Sequence, residues 1–179
     1  MKKLKIEEMG RLSPEAYRRS DKLPIIVVLD NIRSMHNVGS IFRTADALKV
    51  SSLYLCGITS TPPHVDIHKT ALGAEEVVEW RYYANASNVV KELKEHGFAV
   101  WAVEQTHEST DLRDIDKYMG ESPVALILGN EVNGVSQDVI DLCDGSIEIP
   151  QYGTKHSLNV SVAGGIVMWC VSQLYREKE

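Results

Sequence analysis

Short apolar runs alternate with stretches of helical periodicity along most of the chain. The runs PIIVVLD (24–30) and PVALILG (123–129) are apolar at almost every position. Strands that are buried on both faces show this pattern, because each face packs against other elements. Shorter runs predict four more strands: SSLYLCG (51–57), VVEWRYY (77–83), FAVWAVE (98–104) and SIEIP (146–150).

Helices are predicted between these strands. The predicted helices lie at 13–19, 37–48, 68–76, 87–96 and 136–143, and a last helix carries Val160, Ala163, Val167, Val171 and Leu174 on its core face. Ser13, Asn37 and Ser136 are the expected N-caps, and Gly97 is the expected left-handed residue after the fourth helix. The alternation predicts a single α/β domain with a parallel sheet flanked by helices. Such sheets bind ligands beyond the carboxyl ends of their strands, so the polar loops there are the expected site.

Composition and charge narrow the class of protein. Of the 179 residues, 44% are hydrophobic and 25% are charged, which is ordinary for a globular domain with a sizeable core. The net charge of −6 argues against a broad electrostatic surface for nucleic acid but leaves room for a local basic patch. The three cysteines form no metal or disulfide pattern, which favours a reducing cytoplasm. We expect neither a membrane span nor a signal peptide, because no apolar run is long enough and the basic N-terminus lacks an apolar segment.

The first polar loop opens the segment LDNIRSMHNVGSIFRTADAL (29–48). Gly39 would let another backbone approach the helix. Arg43 follows on its first turns, where it either faces a polar site or lies on the surface beside an amphipathic stripe. The segment alone favours the surface interpretation.

The second segment, LILGNEVNGVS (126–136), breaks a buried strand at Gly129. It lacks the glycine spacing of the phosphate-binding loops. Glu131 can accept hydrogen bonds from a ribose, a base or a backbone amide. Asn133-Gly134 can supply the left-handed conformation of a turn. The two interpretations are compatible.

The third segment is QYGTKHSLNVSVAGGIVMWCV (151–171). Ser157 and Asn159 precede the last helix, whose positive end favours anions or lone pairs. Gly164 and Gly165 lie inside that helix, where each glycine costs roughly 1 kcal/mol relative to alanine. Their presence predicts the close approach of another backbone or of a ligand. Capping and tight packing alone would leave Lys155-His156 unexplained.

The segment PPHVDIHK raises the possibility of a metal site, since His64 and His68 are four residues apart. Pro62-Pro63 and the lack of a third ligand weaken it, so we interpret the segment as a loop. No metal is expected. Cys143 lies in an apolar helix and is interpreted as a core residue rather than a nucleophile.

Together and in this order, the three segments resemble the motifs of the SpoU–TrmH family of RNA 2′-O-ribose methyltransferases, of the SPOUT class. Asn37, Gly39, Arg43 and Thr44 match the first motif, and LGNEVNGV and IPQYGTKHSLNVSVAGGI match the second and third. The resemblance covers residues 24–175. It implies a SpoU-type methyltransferase domain at 21–179 after a short N-terminal extension at 1–20.

The same resemblance implies a C-terminal deep trefoil knot, in which Gly164 and Gly165 would let backbones meet. It implies S-adenosylmethionine as cofactor, RNA as substrate, with tRNA preferred over rRNA, and a homodimer without metal. The implied cofactor contacts are Val103, Glu104, Leu128, Gly129, Ile149 and Leu158. Glu104 departs from the family pattern, which often has a small or hydroxylated residue there. An exposed patch on the last helix that includes Val167, Trp169, Tyr175 or their neighbours is expected at the dimer interface.

The resemblance also implies catalytic roles. Arg43 would orient the ribose hydroxyl in the partner's site and stabilise developing negative charge. Asn37 would hold Arg43 or the ribose, and Glu131 would fix the loop or bridge to Arg43. Ser157 and Asn159 would position the nucleotide and the edge of the cofactor.

Two other classes of function were weighed. One is a non-catalytic RNA-binding module with the same fold, which the presence of Arg43, Glu131, Ser157 and Asn159 argues against. The other is a different nucleotide-binding α/β enzyme such as a small reductase. The lack of GxGxxG after the first strand argues against that class.

Overall fold

A seven-stranded sheet forms the centre of the computed structural model, which describes residues 1–120 and 122–176. The strands are β1 (Leu23–Asp30), β2 (Val50–Cys56), β3 (Glu79–Tyr83), β4 (Ala99–Val103), β5 (Thr110–Asp111), β6 (Val124–Leu128) and β7 (Gly145–Glu148). Their order in the sheet is β3-β2-β1-β6-β4-β7-β5, and each of these pairs is parallel. The predicted parallel α/β sheet is confirmed.

Helices cover the sheet. They are α1 (Pro14–Arg19), α2 (Met35–Leu48), α3 (Val65–Ala71), α4 (Ala86–Glu95), α5 (Gln137–Ile140) and α6 (Val160–Arg176), with 3₁₀ turns at Ile6–Met9, Ala74–Glu76 and Leu112–Lys117. Within the described part of the chain, no helix combines the length and the apolar character needed to cross a membrane.

The two faces of β1 explain its continuous apolar run. Ile25, Val27 and Leu29 pack in the core that includes α2 and α6, whereas Ile26 and Val28 pack in the core that includes α4. Because side chains alternate between the faces of a strand, burial on both sides requires an apolar residue at nearly every position.

One predicted N-cap, Asn37, was wrong, whereas Ser136 is the N-cap residue of α5 as predicted. The side chain of Ser34, not of Asn37, caps α2 by accepting the N–H of Asn37 at 3.3 Å. Asn37 therefore lies in the first turn, and its own side chain is available for other contacts. Ser136 makes no side-chain cap on α5. Its hydroxyl donates instead to the buried carboxylate of Asp30 at 3.2 Å.

Other element boundaries differ from the sequence prediction. The predicted helix 68–76 begins earlier and is interrupted at Leu72 and Gly73, which have φ values of 54° and 94°. The left-handed conformation of Gly97 is confirmed, with φ 80°. The strand β5 was missed, because a strand of two residues carries no periodicity that the sequence can reveal.

The predicted close contacts between the glycines and other backbone are confirmed only in part. A Cβ at Gly39 would meet the backbone oxygen of Ile67, which confirms that this glycine admits another backbone. A Cβ at Gly164 would instead lie 2.7 Å from the side chain of Leu128, and one at Gly165 would lie 4.0 Å from the side chain of Thr44. Gly164 thus makes room for a side chain of β6, whereas a Cβ at Gly165 would make only an ordinary contact with a side chain of α2, and the expected meeting of backbones there was wrong. The knot and the division into extension and domain stay predictions.

Candidate active site

The loops that follow β4, β6 and β7, together with the first turn of α6, enclose a pocket of about 780 Å³ at the carboxyl edge of the sheet. Its volume is in the range of sites for small ligands. The apolar part of the lining is Val103, Leu128, Val135, Ile140, Ile147, Ile149, Leu158, Val160 and Ala163. The position agrees with the expectation for a parallel sheet.

Glu131 anchors the loop after β1 to the loop after β6. Its carboxylate accepts the backbone N–H of Arg33 at 2.8 Å and of Ser34 at 2.9 Å, and the side-chain amide of Asn37 at 3.0 Å. Burial raises the pKa of Glu131, but these hydrogen bonds together lower it more, so the pKa lies below its ordinary value of 4.5. Glu131 is therefore ionised at neutral pH.

Asn37 extends this connection to α6. Its side-chain oxygen accepts a hydrogen bond from the Asn159 amide at 3.1 Å and lies 3.4 Å from the Ser161 hydroxyl. Asn159 also accepts the backbone N–H groups of Ser161 at 2.9 Å and Val162 at 3.3 Å, which caps the helix. A continuous chain of hydrogen bonds, Glu131–Asn37–Asn159, thus joins the three segments that the sequence singled out.

Gln105 was missed by sequence reasoning, although it closes the other side of the pocket. Its side-chain amide donates to the backbone oxygen of His156 at 2.8 Å. Beside it, the carboxylate of Glu104 accepts the backbone N–H of Val135 at 3.0 Å and of Gln105 at 2.9 Å. The dipeptide after β4 therefore ties the loop after β6 to the segment before α6. Its position after a buried strand was the only signal in the sequence.

The loop after β6 is a tight turn. Asn130 accepts the N–H groups of Val132 at 2.9 Å and Asn133 at 3.1 Å, and Gly134 has φ 69°. The predicted left-handed turn at Asn133-Gly134 is confirmed at Gly134. A Cβ at Gly129 would meet the backbone of Gly134 and Val135, because the turn folds back onto the end of β6. The close packing of this turn therefore explains the glycine at position 129 without any contribution from a ligand in the pocket.

The structure places the predicted site residues in two groups. The six predicted cofactor contacts all line the pocket, as do Glu131, Ser157 and Asn159 among the predicted catalytic residues. Asn37 lies behind the lining and reaches it through Glu131 and Asn159. Arg43 is exposed on α2 and lies outside the lining.

The pocket is acidic. Glu104, Glu131 and Glu148 are part of its lining, whereas no lysine or arginine is among the described lining residues. Gln151, His156, Ser157 and Leu158 also line the pocket, and none of their backbone N–H groups donates to another residue within the described ranges. The pocket therefore suits a ligand with net positive charge and with acceptors for backbone N–H groups.

His64, His68 and Cys143 lie outside the pocket lining. His64 caps α3 by accepting the N–H of Asp66 at 3.1 Å, while His68 lies 2.5 Å from Glu75. The two histidines thus have separate partners, although ligand atoms of His68, Glu75 and Glu76 come within 4.8 Å of one another. Burial raises the pKa of the Cys143 thiol to about 12, which agrees with its interpretation as a core residue.

Comparison with known proteins decides the family. The model of the SpoU rRNA Methylase family matches residues 24–169. The chain belongs to this family. A tRNA (guanosine(18)-2′-O)-methyltransferase from Thermus thermophilus is 32% identical over 162 residues, which are 90% of this chain and 81% of that protein. A 23S rRNA (guanosine-2′-O-)-methyltransferase from Vibrio parahaemolyticus is 34% identical over 155 residues, or 87% of this chain and 60% of that protein.

Solved structures agree with the family assignment. The TrmH/SpoU tRNA modifying enzyme of Aquifex aeolicus has a TM-score of 0.80 at 31% identity, covering 90% of this chain and 80% of that one. The AdoMet-bound rRNA methyltransferase of Sinorhizobium meliloti has a TM-score of 0.78 at 30% identity, covering 91% of this chain and 61% of that one. The chain spans about three fifths of the length of several SpoU relatives.

Proposed function

We propose that this SpoU-family protein transfers the methyl group of S-adenosylmethionine to a ribose 2′-hydroxyl of RNA. The observation that carries the proposal is the hydrogen-bonded chain Glu131–Asn37–Asn159 at the edge of an acidic pocket. It joins the three motifs of an RNA 2′-O-methyltransferase at one place. The relatives named for transfer to tRNA and rRNA support the same reaction.

The pocket fits the cofactor chemically. S-adenosylmethionine carries a sulfonium, an ammonium and a carboxylate group, so its net charge is positive. Three carboxylates without a lysine or arginine among the described lining residues match that charge. The apolar part of the lining suits the faces of adenine, and the backbone N–H groups of Gln151 and of 156–158 suit its ring nitrogens or the ligand carboxylate. When bound, the cofactor supplies a methyl group activated by the positive charge on sulfur.

The residues of the chain would prepare the acceptor. A ribose hydroxyl is a weak nucleophile at neutral pH. As its oxygen forms the bond to the methyl group, the bond from that carbon to sulfur breaks, and the hydroxyl proton is released to solvent. A guanidinium group is a poor base, so the role of Arg43 is to orient the hydroxyl and stabilise the negative charge that develops on oxygen. Glu131 holds the loop after β1 rigid through three hydrogen bonds. Asn159 and Ser157, at the positive end of α6, position the nucleotide beside the cofactor.

A homodimer would bring Arg43 to the reaction. Val162, Ile166 and Trp169 form a stripe on α6 by their spacing of four and three residues, with exposed fractions of 51%, 37% and 57%. Arg43 is exposed on α2 next to Thr44, which faces Gly165 of α6. We propose that a second copy covers this stripe and receives Arg43 in its own pocket. The earlier expectation for Val167 was wrong, because Val167 is fully buried within the monomer. Tyr175 is half-buried and donates to the backbone oxygen of Ser122, so of the three named residues only Trp169 belongs to the stripe.

The preference for tRNA over rRNA rests on the relative from Thermus thermophilus, of which the chain spans 81%. The cytoplasmic location rests on the three free cysteines. Both are parts of the proposal.

The proposal is tested in two steps. Calorimetry with S-adenosylmethionine should detect binding, and a tritiated methyl group should then pass to bulk tRNA more efficiently than to rRNA. Nuclease digestion and mass spectrometry should recover the label as a 2′-O-methylated nucleoside. Binding of both cofactor and RNA without transfer would favour a non-catalytic RNA-binding module. Absence of cofactor binding in the folded protein would refute the proposal.

A further inference from the structure

Glu104 lines the pocket, but its side chain has no specific role in the proposed reaction. It follows β4, which lies between β6 and β7 in the sheet, and it lines the pocket from this central position. The resemblance implies only contacts to the backbone at this position, where the family often has a smaller residue. The carboxylate is thus a feature of this chain that needs its own explanation.

The carboxylate is held in a fixed orientation. Oε2 accepts the N–H of Val135 at 3.0 Å, and Oε1 accepts the N–H of Gln105 at 2.9 Å. Gly134 makes room for it, because a Cβ there would meet Oε2. Each carboxylate oxygen can accept two hydrogen bonds, so one position on each oxygen is left for a ligand. Two neighbouring acceptors with fixed geometry match two neighbouring hydroxyl groups.

We infer that the Glu104 carboxylate recognises the ribose diol of the adenosine part of the cofactor. The inference rests on the proposed function and adds a determinant of cofactor specificity to it. Acidic side chains bind ribose hydroxyls in the same manner in dinucleotide-binding folds. Hydrogen bonds to an ionised acceptor are about twice as strong as those between neutral groups, so the diol is a favourable partner.

The strand order favours the diol over the sulfonium group as the partner of Glu104. In the proposed reaction the acceptor ribose meets the sulfonium methyl group beside Glu131, Asn37 and Asn159, where the first turn of α2 meets the start of α6. Glu104 lies after β4, on the far side of β6 from β1, and contacts the end of the 129–135 turn at Val135. A sulfonium group also has no hydrogen to donate, whereas a diol has two.

The other two carboxylates of the pocket are less suited. Glu131 is occupied by three donors. Glu148 is held through one oxygen by the Ser109 hydroxyl at 2.7 Å, and a hydroxyl can rotate away. The variant Glu148→Gln also removes one negative charge from the pocket, so it is the matched control for Glu104→Gln.

The test is calorimetry on the full-length protein with S-adenosylhomocysteine and its 2′,3′-dideoxy analogue. Neither probe carries the sulfonium charge, so their difference reports only the diol. The wild type should prefer the diol at least tenfold, or about 1.4 kcal/mol. Glu104→Gln should reduce the preference to about threefold or less, because the amide loses the charge and one acceptor. Glu148→Gln should retain the full preference. Thermal unfolding of each variant checks that the fold is kept, and Glu104→Asp provides a second carboxylate that is too short to reach the diol.

Each other outcome counts against the inference. If Glu104→Gln weakens the binding of both probes equally, the side chain serves only to hold the loops together. A wild type that does not distinguish the probes would also overturn the idea. If Glu104→Gln weakens S-adenosylmethionine but leaves S-adenosylhomocysteine unchanged, or if only the charged cofactor binds the wild type, Glu104 serves the sulfonium group instead. In these cases S-adenosylmethionine still binds, so the proposed function stands. If neither S-adenosylmethionine nor its product binds the folded wild type, both proposals fail together.

Discussion

Glu131 and Asn37, which are 94 positions apart in the sequence, are joined by a hydrogen bond of 3.0 Å at the carboxyl edge of the sheet. The same carboxylate holds the backbone of Arg33 and Ser34. One side chain therefore determines where the loop after β1 lies relative to the pocket. A carboxylate with three donors is well placed to organise a site without entering the chemistry itself.

Replacing Glu131 should loosen the loop after β1. We expect Glu131→Gln to reduce methyl transfer by roughly a hundredfold, the scale of losing one preorganised electrostatic element. Cofactor affinity should change much less, because the Glu104–Val135 and Gln105–His156 contacts remain. Single-turnover kinetics and calorimetry would separate the two effects. Wild-type turnover in the variant would contradict the anchoring role.

The same residue predicts a pH dependence of stability. The pKa of Glu131 is below 4.5 in the folded protein, so its contribution is fully present above that value and is lost as the pH falls through the folded pKa. The free energy of unfolding of the wild type should therefore exceed that of Glu131→Gln at pH 7. The difference should shrink below pH 4.5. Urea unfolding of both proteins across this window measures it, and a constant difference would argue against the assigned cause.

Arg43 separates chemistry from binding. Arg43→Ala should leave cofactor affinity nearly intact, because Arg43 lies outside the pocket lining of its own subunit. Turnover should fall by roughly a hundredfold or more. Arg43→Lys should restore little, since an ammonium group lacks the planar fork of the guanidinium.

Mixed dimers test which subunit Arg43 serves. Chains with Arg43→Ala are combined with chains whose pocket is disrupted by Gly129→Val. If Arg43 acts in the partner's pocket, each mixed dimer retains one site with both intact parts, and activity partly returns. If it acts in its own subunit, neither site is whole and mixing restores nothing.

Gly129→Ala should weaken the pocket through its loop. The added Cβ would meet the backbone of Gly134 and Val135, so the turn must move. We expect at least tenfold weaker cofactor binding in calorimetry, or about 1.4 kcal/mol. Gly120→Ala is the control, because a Cβ there has no heavy atom of the described residues within 4 Å. Unchanged affinity in folded Gly129→Ala would show that the pocket does not depend on this turn.

The α6 stripe predicts the assembly. Light scattering should give about twice the chain mass of 20.0 kDa. Ile166→Asp should produce monomers, since it places a charge in the middle of the stripe. Val65→Asp on α3, where Val65 is 72% exposed, should leave the dimer intact. A wild-type monomer that transfers methyl groups would exclude a role for Arg43 in the partner's site.

The sequence predicted most of the sheet, because β1 and β6 are apolar at nearly every position and the helices between strands have clear periodicity. It did not predict which side chain caps α2, since Ser34 and Asn37 are both good capping residues. Only the fold shows that Asn37 has a second partner in Glu131. The short strand β5 and the interruption at Leu72 carried no strong local signal.

Most residues of the candidate site could be predicted from the sequence, but the hydrogen bonds between them could not. The predicted cofactor contacts were placed through the family resemblance, and all of them line the pocket. The contact between Gln105 and His156 joins residues 51 positions apart, and nothing in either local segment indicates it. Of the glycine pair in α6, only Gly164 is closely packed, and its partner is the side chain of Leu128 rather than backbone.

The order of the strands has a consequence for folding. β1 pairs with β6, so residues 25–29 must find residues 124–128 before the loop after β1 can meet Glu131. Contacts of such long sequence separation form late and slowly. The pocket is built from the loops after β4, β6 and β7 and the start of α6, so it depends on the completed order of the strands. A ligand that binds only the completed sheet stabilises the native state by mass action, so cofactor supply would also set how much of the chain stays folded.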